Sequence, residues 1–422
     1  MNNAFLKSYQ TLQEIFSEKS FSSIALNKAL SFCKPQEKAL VTKLVYGVLD
    51  NDILLQYIIS KYVKKLPKGA VLLFLKMGVY CLKELSIPVY AVVNDIAELA
   101  KLTGDKRQVG FVNATLKHIS ATISTFDDYP TDFAENLSVR YSYPLWAVKK
   151  VIKDYGKEVA EQIISFKPQN ATTMRFVGNL DCQQLSQEYG VKLTPTIFDD
   201  AFVVEGKLPQ LDSNCTIQSL SSMAISRICA GFVKSSFLDC CSAPGGKGIY
   251  LKQLCPHVDV TCCDIHPHRV GLINSYASRM KTAVTTKVAD MIQLDETMVD
   301  KFDTVLCDVP CSGFGVLDNR PDIKLFRQNE DISSLMKLQQ AILQNCSNYV
   351  AVGGHLVYST CTIFYNENGQ NIKKFLNANP NFQLSAFSLP QFPLANGQGT
   401  YQFLPHKDGI QGFYVAVLQR IS

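Results

Sequence analysis

The sequence predicts a helical N-terminal bundle, a small α/β subdomain and a C-terminal α/β domain with a mainly parallel, Rossmann-like sheet. Three observations predict this fold class. Residues 1–130 carry apolar side chains at helical spacing and show few strand patterns. From residue 216 onwards, short apolar runs alternate with helical segments, which is typical of a parallel sheet covered on both faces. The 422 residues, of which 47% are hydrophobic and 19% charged, suffice for two or three domains with their own cores.

Residues 131–215 separate the two larger parts of the chain. They contain strand-like runs around Arg175 and Val203 with a helical segment between them, and they are predicted to form a linker and a small α/β subdomain. In residues 216–422, strands are expected near 236–239, 258–263, 284–288, 303–307, 354–359 and 413–418. Helices are expected between these strands, including 267–280 and 335–350.

The net charge of +5 lies entirely in the first third of the chain. Residues 1–130 contain 16 Lys and Arg against 11 Asp and Glu, whereas the remainder contains 26 of each. This excess fits an RNA-binding module, and it fits a solvated helical surface equally well. No apolar run approaches the roughly 20 residues of a membrane span, and no export signal is evident. A cytoplasmic protein without membrane contact is therefore expected.

The chain contains 14 cysteines but no C-x-x-C pair. Most of them lie in apolar runs, so we expect buried free thiols and not a disulfide framework. Residues 262–268 contain cysteine, aspartate and histidine side chains, which are all metal-ligating types. Because Cys262 and Cys263 are adjacent on a predicted strand, their side chains point to opposite faces and cannot easily share one ion. No metal site is expected.

Reactive side chains follow three predicted strands at their carboxyl ends. Asp308 and Cys311 follow the strand that ends at Cys307, and Cys361 follows the strand that ends near Ser359. A glycine-rich turn at Gly245 follows the strand at 236–239. Ligands of open α/β sheets bind at this edge, so two thiols and a carboxylate should lie beside a nucleotide-type cradle.

The glycine turn and two strand-end acids predict a nucleoside cofactor. Backbone N–H groups at Gly245 and Gly246 can approach a ligand closely at the start of the following helix. Asp264 and Asp290 end the next two strands, where an acid can accept hydrogen bonds from ribose hydroxyls or the adenine amino group. The turn is not the G-x-G-x-x-G pattern of dinucleotide-binding sites, which favours S-adenosylmethionine over a dinucleotide.

Two thiols and a carboxylate suit the methylation of cytosine at C5. This carbon is a poor nucleophile, and it becomes reactive when a thiolate adds to C6. Asp308 is placed to hold the Watson–Crick edge and to support protonation at N3, and a second thiol can assist release of the enzyme. The residues alone do not rank Cys311 and Cys361 between the two thiol roles.

These residues resemble the signature motifs of RNA cytosine-C5 methyltransferases. The matching segments are residues 238–247, Asp308-Val309-Pro310-Cys311-Ser312-Gly313, Arg320-Pro321-Asp322-Ile323-Lys324, Ser359-Thr360-Cys361-Thr362 and Glu367-Asn368. The first third is similar to the NusB helical fold in residues 44–49, 93–95 and 111–114. A NusB-like RNA-binding domain at residues 1–130, fused to a methyltransferase domain at residues 216–422, resembles the bacterial RsmB (Sun) type, which acts on 16S ribosomal RNA.

The resemblance implies that Cys361 is the nucleophile and Cys311 the thiol that assists release, with Asp308 and Lys247 as further catalytic residues between cofactor and base. It implies S-adenosylmethionine as the cofactor and 16S ribosomal RNA as the partner; a monomer is expected. The cofactor-binding residues it implies are Cys241, Ser242, Ala243, Pro244, Gly245, Gly246, Lys247, Asp264, Arg269, Asp290, Asp308 and Pro310.

Three positions depart from the pattern of the family. Gly248 stands where Thr or Ser is usual, and Ser219 and Gln411 each stand where Asp is usual. These departures leave every catalytic position filled. Two alternative functions remain open: a transfer RNA cytosine-C5 methyltransferase, because the motifs do not specify the RNA, and a non-catalytic RNA-binding assembly factor. The sequence does not identify the modified cytosine.

Overall fold

The computed structural model describes residues 3–103, 106–167, 172–178 and 180–422. The chain divides into two compact units. The first comprises residues 1–165 together with 317–327, and the second comprises residues 166–316 together with 328–422. Within the described residues, no helix is both long enough and apolar enough to cross a bilayer.

Helices build the first unit, as the spacing of its apolar residues predicts. Their bounds, for the described residues 3–165, are α1 Asn3–Glu18, α2 Ser22–Ser31, α3 Pro35–Asp50, α4 Asp52–Tyr62, α5 Gly69–Glu84, α6 Val89–Thr103, α7 Lys106–Ser120, α8 Phe133–Arg140, α9 Leu145–Tyr155 and α10 Lys157–Ser165. Leu44 and Val48 of α3 are fully buried in the core of this unit. Gly47 faces Tyr80 of α5, and a Cβ atom at Gly47 would lie 1.9 Å from that ring. Only glycine therefore permits this close approach of α3 and α5.

A segment distant in sequence completes the helical unit. Residues 317–327 contain the short helix α15 (Asp322–Phe326). Lys324 is 7% exposed, and its Nζ donates to the backbone carbonyl oxygen of Asp50 at 2.8 Å. Ser22 donates a hydrogen bond to the Asp322 carboxylate, and the ring of Phe326 packs edge-on against Phe16. Because Ser22, Asp322 and Lys324 are buried, the segment is an integral part of this unit.

The second unit begins with a four-stranded antiparallel sheet in the order β2-β3-β1-β4. Its elements are β1 Thr172–Phe176, α11 Cys182–Tyr189, β2 Lys192–Pro195, β3 Ala201–Glu205 and β4 Cys215–Ile217. The sequence pattern predicts β1, α11 and β3. It misses β2 and β4, which at four and three residues are too short to show a clear alternation.

The larger sheet of the second unit has the order β10-β12-β9-β8-β5-β6-β7, with β11 beside β12. Its strands are β5 Ser236–Asp239, β6 Asp259–Asp264, β7 Thr285–Val288, β8 Phe302–Asp308, β9 Val350–Thr360, β10 Phe382–Leu384, β11 Thr400–Phe403 and β12 Phe413–Arg420. The helices around it are α12 Leu220–Ala230, α13 Gly246–Leu254, α14 Pro267–Arg279, α16 Asn329–Ser347, α17 Gly369–Ala378 and α18 Pro405–Asp408.

This sheet is mixed. Strands β5 to β9 pair in parallel, whereas β10, β11 and β9 all pair antiparallel with β12. The predicted Rossmann-like α/β fold is confirmed. The strand pattern of the sequence did not predict that the sheet ends in antiparallel strands around β12. In the register, Asp308 of β8 pairs with Ser359 of β9, and Asp239 of β5 pairs with Leu306 of β8. The carboxyl ends of the three central strands therefore lie side by side.

Candidate active site

Two thiols face each other where β8 and β9 end. Cys311 lies in the loop after β8, and Cys361 directly follows β9. Their Sγ atoms are 3.1 Å apart, and both side chains are partly exposed. The backbone N–H of Cys361 also donates to Cys311 Sγ at 3.2 Å. The parallel pairing of β8 with β9 thus brings together two cysteines that are 50 residues apart in sequence.

Hydrogen bonding gives the two thiols different acidities. The hydrogen bond with Cys311 lowers the pKa of Cys361 below its ordinary value of 9.0, despite the opposing effect of burial. The same hydrogen bond, together with burial, raises the pKa of Cys311 well above 9.0. The two residues thus share two contacts: the Cys361 N–H donates to Cys311 Sγ, and the two sulfurs share a hydrogen bond in which either can be the donor. The lowered pKa makes Cys361 the more easily ionised thiol of the pair.

This pairing predicts the pH dependence of Cys361 alkylation. Replacing Cys311 by alanine removes the S–H donor that stabilises the thiolate, so the pKa of Cys361 should rise and the alkylation profile should move to higher pH. Iodoacetamide labelling of the Cys361 peptide, followed by mass spectrometry across pH, measures the shift. Cys311→Ser retains a donor and should shift the profile less. An unchanged profile in Cys311→Ala would contradict the assignment.

Lys247 and Asp308 form an ion pair beside the thiols. Lys247 Nζ lies 2.6 Å from Asp308 Oδ2, and Ser359 donates to Asp308 Oδ1 at 2.6 Å. Burial lowers the pKa of Lys247, but the Asp308 charge and its hydrogen bond outweigh this effect and leave the pKa raised. Lys247 therefore remains a cation, and its charge also lowers the pKa of Cys361.

A buried carboxylate holds both thiol-bearing loops. Glu367 is fully buried and accepts hydrogen bonds from the backbone N–H of Ser312 at 2.9 Å and from the Ser312 hydroxyl. The Ser312 hydroxyl also lies 2.8 Å from the hydroxyl of Thr362. Gln339 of α16 donates at 2.9 Å both to Glu367 and to the carbonyl oxygen of Pro310. The residues that flank Cys311 and Cys361 are thus tied into one buried network.

A cavity of about 220 Å³ is lined by both members of the Lys247–Asp308 ion pair, whereas Cys311 and Cys361 are not in its lining. Among the residues predicted for the cofactor, those that line it are Cys241, Ser242, Ala243, Pro244, Gly246, Lys247 and Asp308. The sequence analysis missed the lining residues Ile217, Gln218, Ser219, Ser222, Asp239 and Tyr276. A pattern search for strand ends could have found Asp239, the last residue of β5. Gln218 and Ser219 lie at the pair of positions where Ser219 departs from the family pattern, whereas Ile217, Ser222 and Tyr276 belong to no motif.

Five further predicted residues are not in the lining of this cavity. Asp264 at the end of β6 pairs with Arg269 at 3.2 Å, and Arg269 donates to the carbonyl oxygen of Ala243 in the glycine turn. Gly245 is the N-cap of α13 and has a φ of +104°, and a Cβ atom there would meet two isoleucines at 3.0 and 3.1 Å. Asp290 accepts from the N–H of Ile292, and Pro310 is exposed. Through Arg269, Asp264 is therefore linked to the glycine turn, beside which both residues were predicted to bind the cofactor.

The positions that depart from the family pattern have defined structural roles. Ser219 is the N-cap of α12, and its hydroxyl accepts from the N–H of Ser222 at 3.3 Å. Gln411 accepts from the hydroxyl of Ser221 at 3.1 Å. A Cβ atom at Gly248 would lie 2.5 Å from Cys262 Sγ. Cys262 therefore occupies the space that a side chain at position 248 would need.

Gly248→Thr is accordingly expected to lower the free energy of unfolding by about 1–3 kcal/mol, because it overpacks the interface of α13 with β6. Urea denaturation followed by circular dichroism measures the change. Adding Cys262→Ala should make room for the new side chain at position 248. The free energy of unfolding of the double variant should therefore be about 1–2 kcal/mol higher than the sum of the two single effects predicts. Strict additivity of the two substitutions would contradict this steric explanation.

A second group of thiols lies in the core of the sheet. The Sγ atoms of Cys240, Cys307 and Cys346 lie within 4.8 Å of one another, and all three residues are at most 1% exposed. Three thiols are a donor set for a soft metal ion, but these belong to an apolar cluster and pack as small core residues. All 14 cysteines are free, as the sequence predicts.

Comparison with known proteins identifies families that match the two parts of this chain. Residues 233–419 match the family described as 16S rRNA methyltransferase RsmB/F, and residues 5–121 match the NusB family. A probable ribosomal RNA small subunit methyltransferase B of Bacillus subtilis is 30% identical, over 97% of this chain and 97% of its own length. The ribosomal RNA small subunit methyltransferase B of Vibrio cholerae is 28% identical over 94% of this chain and 93% of its own. The crystal structure of PH0851 covers 98% of both chains with a TM-score of 0.78 at 21% identity, which supports the fold.

Proposed function

The chain belongs to the 16S rRNA methyltransferase RsmB/F family, and on this premise we propose that it transfers a methyl group from S-adenosylmethionine to C5 of a cytosine in 16S ribosomal RNA, through a covalent bond between Cys361 and C6. The observation that carries the proposal is the Cys311–Cys361 pair, with its sulfurs 3.1 Å apart, beside the Lys247–Asp308 ion pair. A methyltransferase that attacks a more nucleophilic atom, such as an exocyclic amine, has no need of two adjacent thiols.

The residues around the cavity fit S-adenosylmethionine. The helix α13 starts at the cavity, and a Cβ atom at Gly246 would have no neighbour closer than 3.7 Å, so the backbone is open to a ligand. Asp239 also lines the cavity, is 1% exposed, and has one carboxylate oxygen without a hydrogen-bond partner among the described residues. A cationic ligand would offset the negative charge of the buried Asp239 carboxylate. We propose that residues 241–247, Asp264, Arg269, Asp290, Asp308 and Pro310 hold it.

The side chains have separate tasks in the proposed reaction. Cys361 Sγ bonds to C6 of the cytosine, and the electron pair of the C5–C6 double bond moves towards C5 and N3. Asp308 holds the Watson–Crick edge and supports protonation at N3. S-Adenosylmethionine, when bound, would supply an electrophilic methyl group: C5 would take this methyl group as its bond to the sulfonium sulfur breaks, and S-adenosylhomocysteine would leave. Cys311 then assists removal of the C5 proton, and the bond between Cys361 and C6 breaks as the double bond re-forms.

Methyl transfer to unmodified 16S ribosomal RNA tests this function. Purified protein with methyl-tritiated S-adenosylmethionine should place label in 5-methylcytidine after nucleoside hydrolysis, and Cys361→Ala protein should place none. Transfer RNA serves as the second substrate, because the catalytic residues do not specify the RNA. Label in any other nucleoside, or label in transfer RNA alone, would refute the proposal.

A further inference from the structure

The two thiols at the ends of β8 and β9 lie close to bonding distance. Cys311 Sγ and Cys361 Sγ are 3.1 Å apart. The sulfurs of a disulfide bond are about 2.05 Å apart, so closing a gap of about 1 Å would join them. Both residues are free cysteines in this structure. The pair is therefore a dithiol whose geometry favours oxidation to a disulfide.

Hydrogen bonds between the two loops maintain this approach of the sulfurs. Ser312 and Thr362, which directly follow the two cysteines, have their hydroxyl oxygens 2.8 Å apart. Glu367 is fully buried and accepts a hydrogen bond from the N–H of Ser312 at 2.9 Å. The N–H of Gly315, in the loop after β8, donates to the carbonyl oxygen of Cys361 at 2.9 Å. Because contacts between the loops flank both cysteines, the short distance between the sulfurs is a feature of the fold.

An oxidant in solution can reach this pair, and one member is suited to react first. Both side chains are partly exposed. The hydrogen bond with Cys311 lowers the pKa of Cys361, and the nearby charge of Lys247 lowers it further, against the effect of burial. The same hydrogen bond, together with burial, raises the pKa of Cys311. Since a peroxide reacts with the thiolate form of cysteine, we expect Cys361 to be oxidised first.

The thiols in the core of the sheet provide a contrast. Cys307 Sγ lies 4.0 Å from Cys240 Sγ, and Cys346 Sγ lies within 4.8 Å of both. All three residues are at most 1% exposed and belong to an apolar cluster. A polar oxidant cannot reach these sulfurs while the protein is folded. Proximity and access occur together at the Cys311–Cys361 pair and not at this buried group.

We propose that hydrogen peroxide converts Cys311 and Cys361 into a reversible disulfide, which switches methyl transfer off and protects Cys361 from irreversible oxidation. The loss of methyl transfer rests on the proposed function, whereas formation of the bond does not. With both sulfurs in one bond, neither the nucleophile nor the thiol that assists release is available. A dithiol of the thioredoxin type restores both thiols by thiol–disulfide exchange and is itself oxidised.

The oxidation proceeds in two balanced steps. The Cys361 sulfur bonds to one oxygen of hydrogen peroxide, the O–O bond breaks, and the other oxygen leaves as water, which gives a sulfenic acid. The Cys311 sulfur then bonds to the Cys361 sulfur as the S–O bond breaks. The proton of Cys311 goes to the departing hydroxide, which leaves as a second water. The two thiols lose two electrons in total, and the peroxide gains them.

Peroxide treatment of the full chain tests this inference. Wild-type protein is exposed to a small excess of hydrogen peroxide, its free thiols are alkylated under denaturing conditions, and the unreduced digest is analysed by mass spectrometry. We expect a cross-linked peptide pair that contains Cys311 and Cys361. Methyl transfer to 16S ribosomal RNA should fall at least about tenfold and return after dithiothreitol treatment. As the internal control, Cys240, Cys307 and Cys346 should remain unlinked and fully alkylated.

Cys311→Ser protein distinguishes the pair from a single reactive cysteine. Without the second sulfur, the sulfenic acid at Cys361 is not captured, and further peroxide converts it to the sulfinic acid, which dithiothreitol does not reduce. After prolonged treatment followed by dithiothreitol, this variant should retain at least about threefold less alkylatable Cys361 than the wild type.

Each outcome separates the disulfide from the proposed function. Absence of the cross-link in the wild type, or equal recovery of Cys361 in both proteins, would overturn the inference while the proposed function stands. Full methyl transfer by the cross-linked protein would overturn the switch together with the proposed roles of the two thiols. Reversible cross-linking in a protein that never methylates RNA would refute the proposed function and leave the disulfide supported.

Discussion

Replacing Cys361 by alanine is expected to abolish methyl transfer, lowering kcat by at least about 10⁴-fold, because the side chain that activates C5 is lost. Cys361 is the member of the thiol pair whose pKa is lowered below 9.0, which supports its proposed role as the thiolate that attacks C6. Single-turnover transfer of labelled methyl measures the rate. The variant should also form no denaturant-resistant complex with RNA that contains 5-fluorocytosine.

A matched cysteine substitution separates this effect from a general loss of thiols. Cys255 is a free, partly exposed cysteine at the end of α13, and Cys255→Ala should leave methyl transfer unchanged. Near-native activity in Cys361→Ala, or a covalent complex formed by that variant alone, would show that another residue attacks C6. Circular dichroism should give the same thermal transition for both variants within a few degrees.

Replacing Cys311 by alanine should trap the protein on ordinary, unfluorinated RNA. The covalent bond can still form through Cys361, but the thiol that assists release is missing, so the adduct should accumulate with each turnover. Denaturing gel electrophoresis after incubation with cofactor and RNA measures the shifted band. Since the same substitution raises the pKa of Cys361, the adduct should form faster at higher pH.

A variant that lacks both thiols tests which residue forms the covalent bond with the RNA. Cys311→Ala combined with Cys361→Ala should lose the shifted band completely, because no nucleophile remains. If Cys361→Ala gave the trapped complex and Cys311→Ala did not, the two thiols would exchange roles. This exchange would also contradict the acidity difference that their hydrogen bond imposes.

The sequence predicts the proximity of Asp308, Cys311 and Cys361 because a simple rule applies to them. Each residue follows a buried strand, and the carboxyl ends of parallel strands meet at one edge. The order of the two thiols in the reaction could not be deduced in this way. It depends on which thiol is the more acidic, and that acidity depends on a 3.1 Å contact between the two sulfurs that only the folded chain establishes.

The supporting residues escape prediction for a different reason. Glu367 lies in a segment that resembles the family pattern, but its full burial and its hydrogen bonds to Ser312 and Gln339 join three distant parts of the chain. Gln218 lines the cavity from the residue just after β4, where it accepts a hydrogen bond from the buried Arg175 of β1. Periodicity identifies elements, whereas these contacts depend on tertiary packing.

The completion of the helical unit by residues 317–327 has a consequence for biosynthesis. The ribosome must add roughly 160 residues after Ser165 before the segment that carries Lys324 and Phe326 exists. At about 5–20 residues per second, this delay lasts roughly 8–30 s. During that interval the docking positions at Phe16 and Asp50 stay vacant on the nascent chain. Chains whose translation stops before residue 317 should therefore be preferred clients of chaperones and proteases.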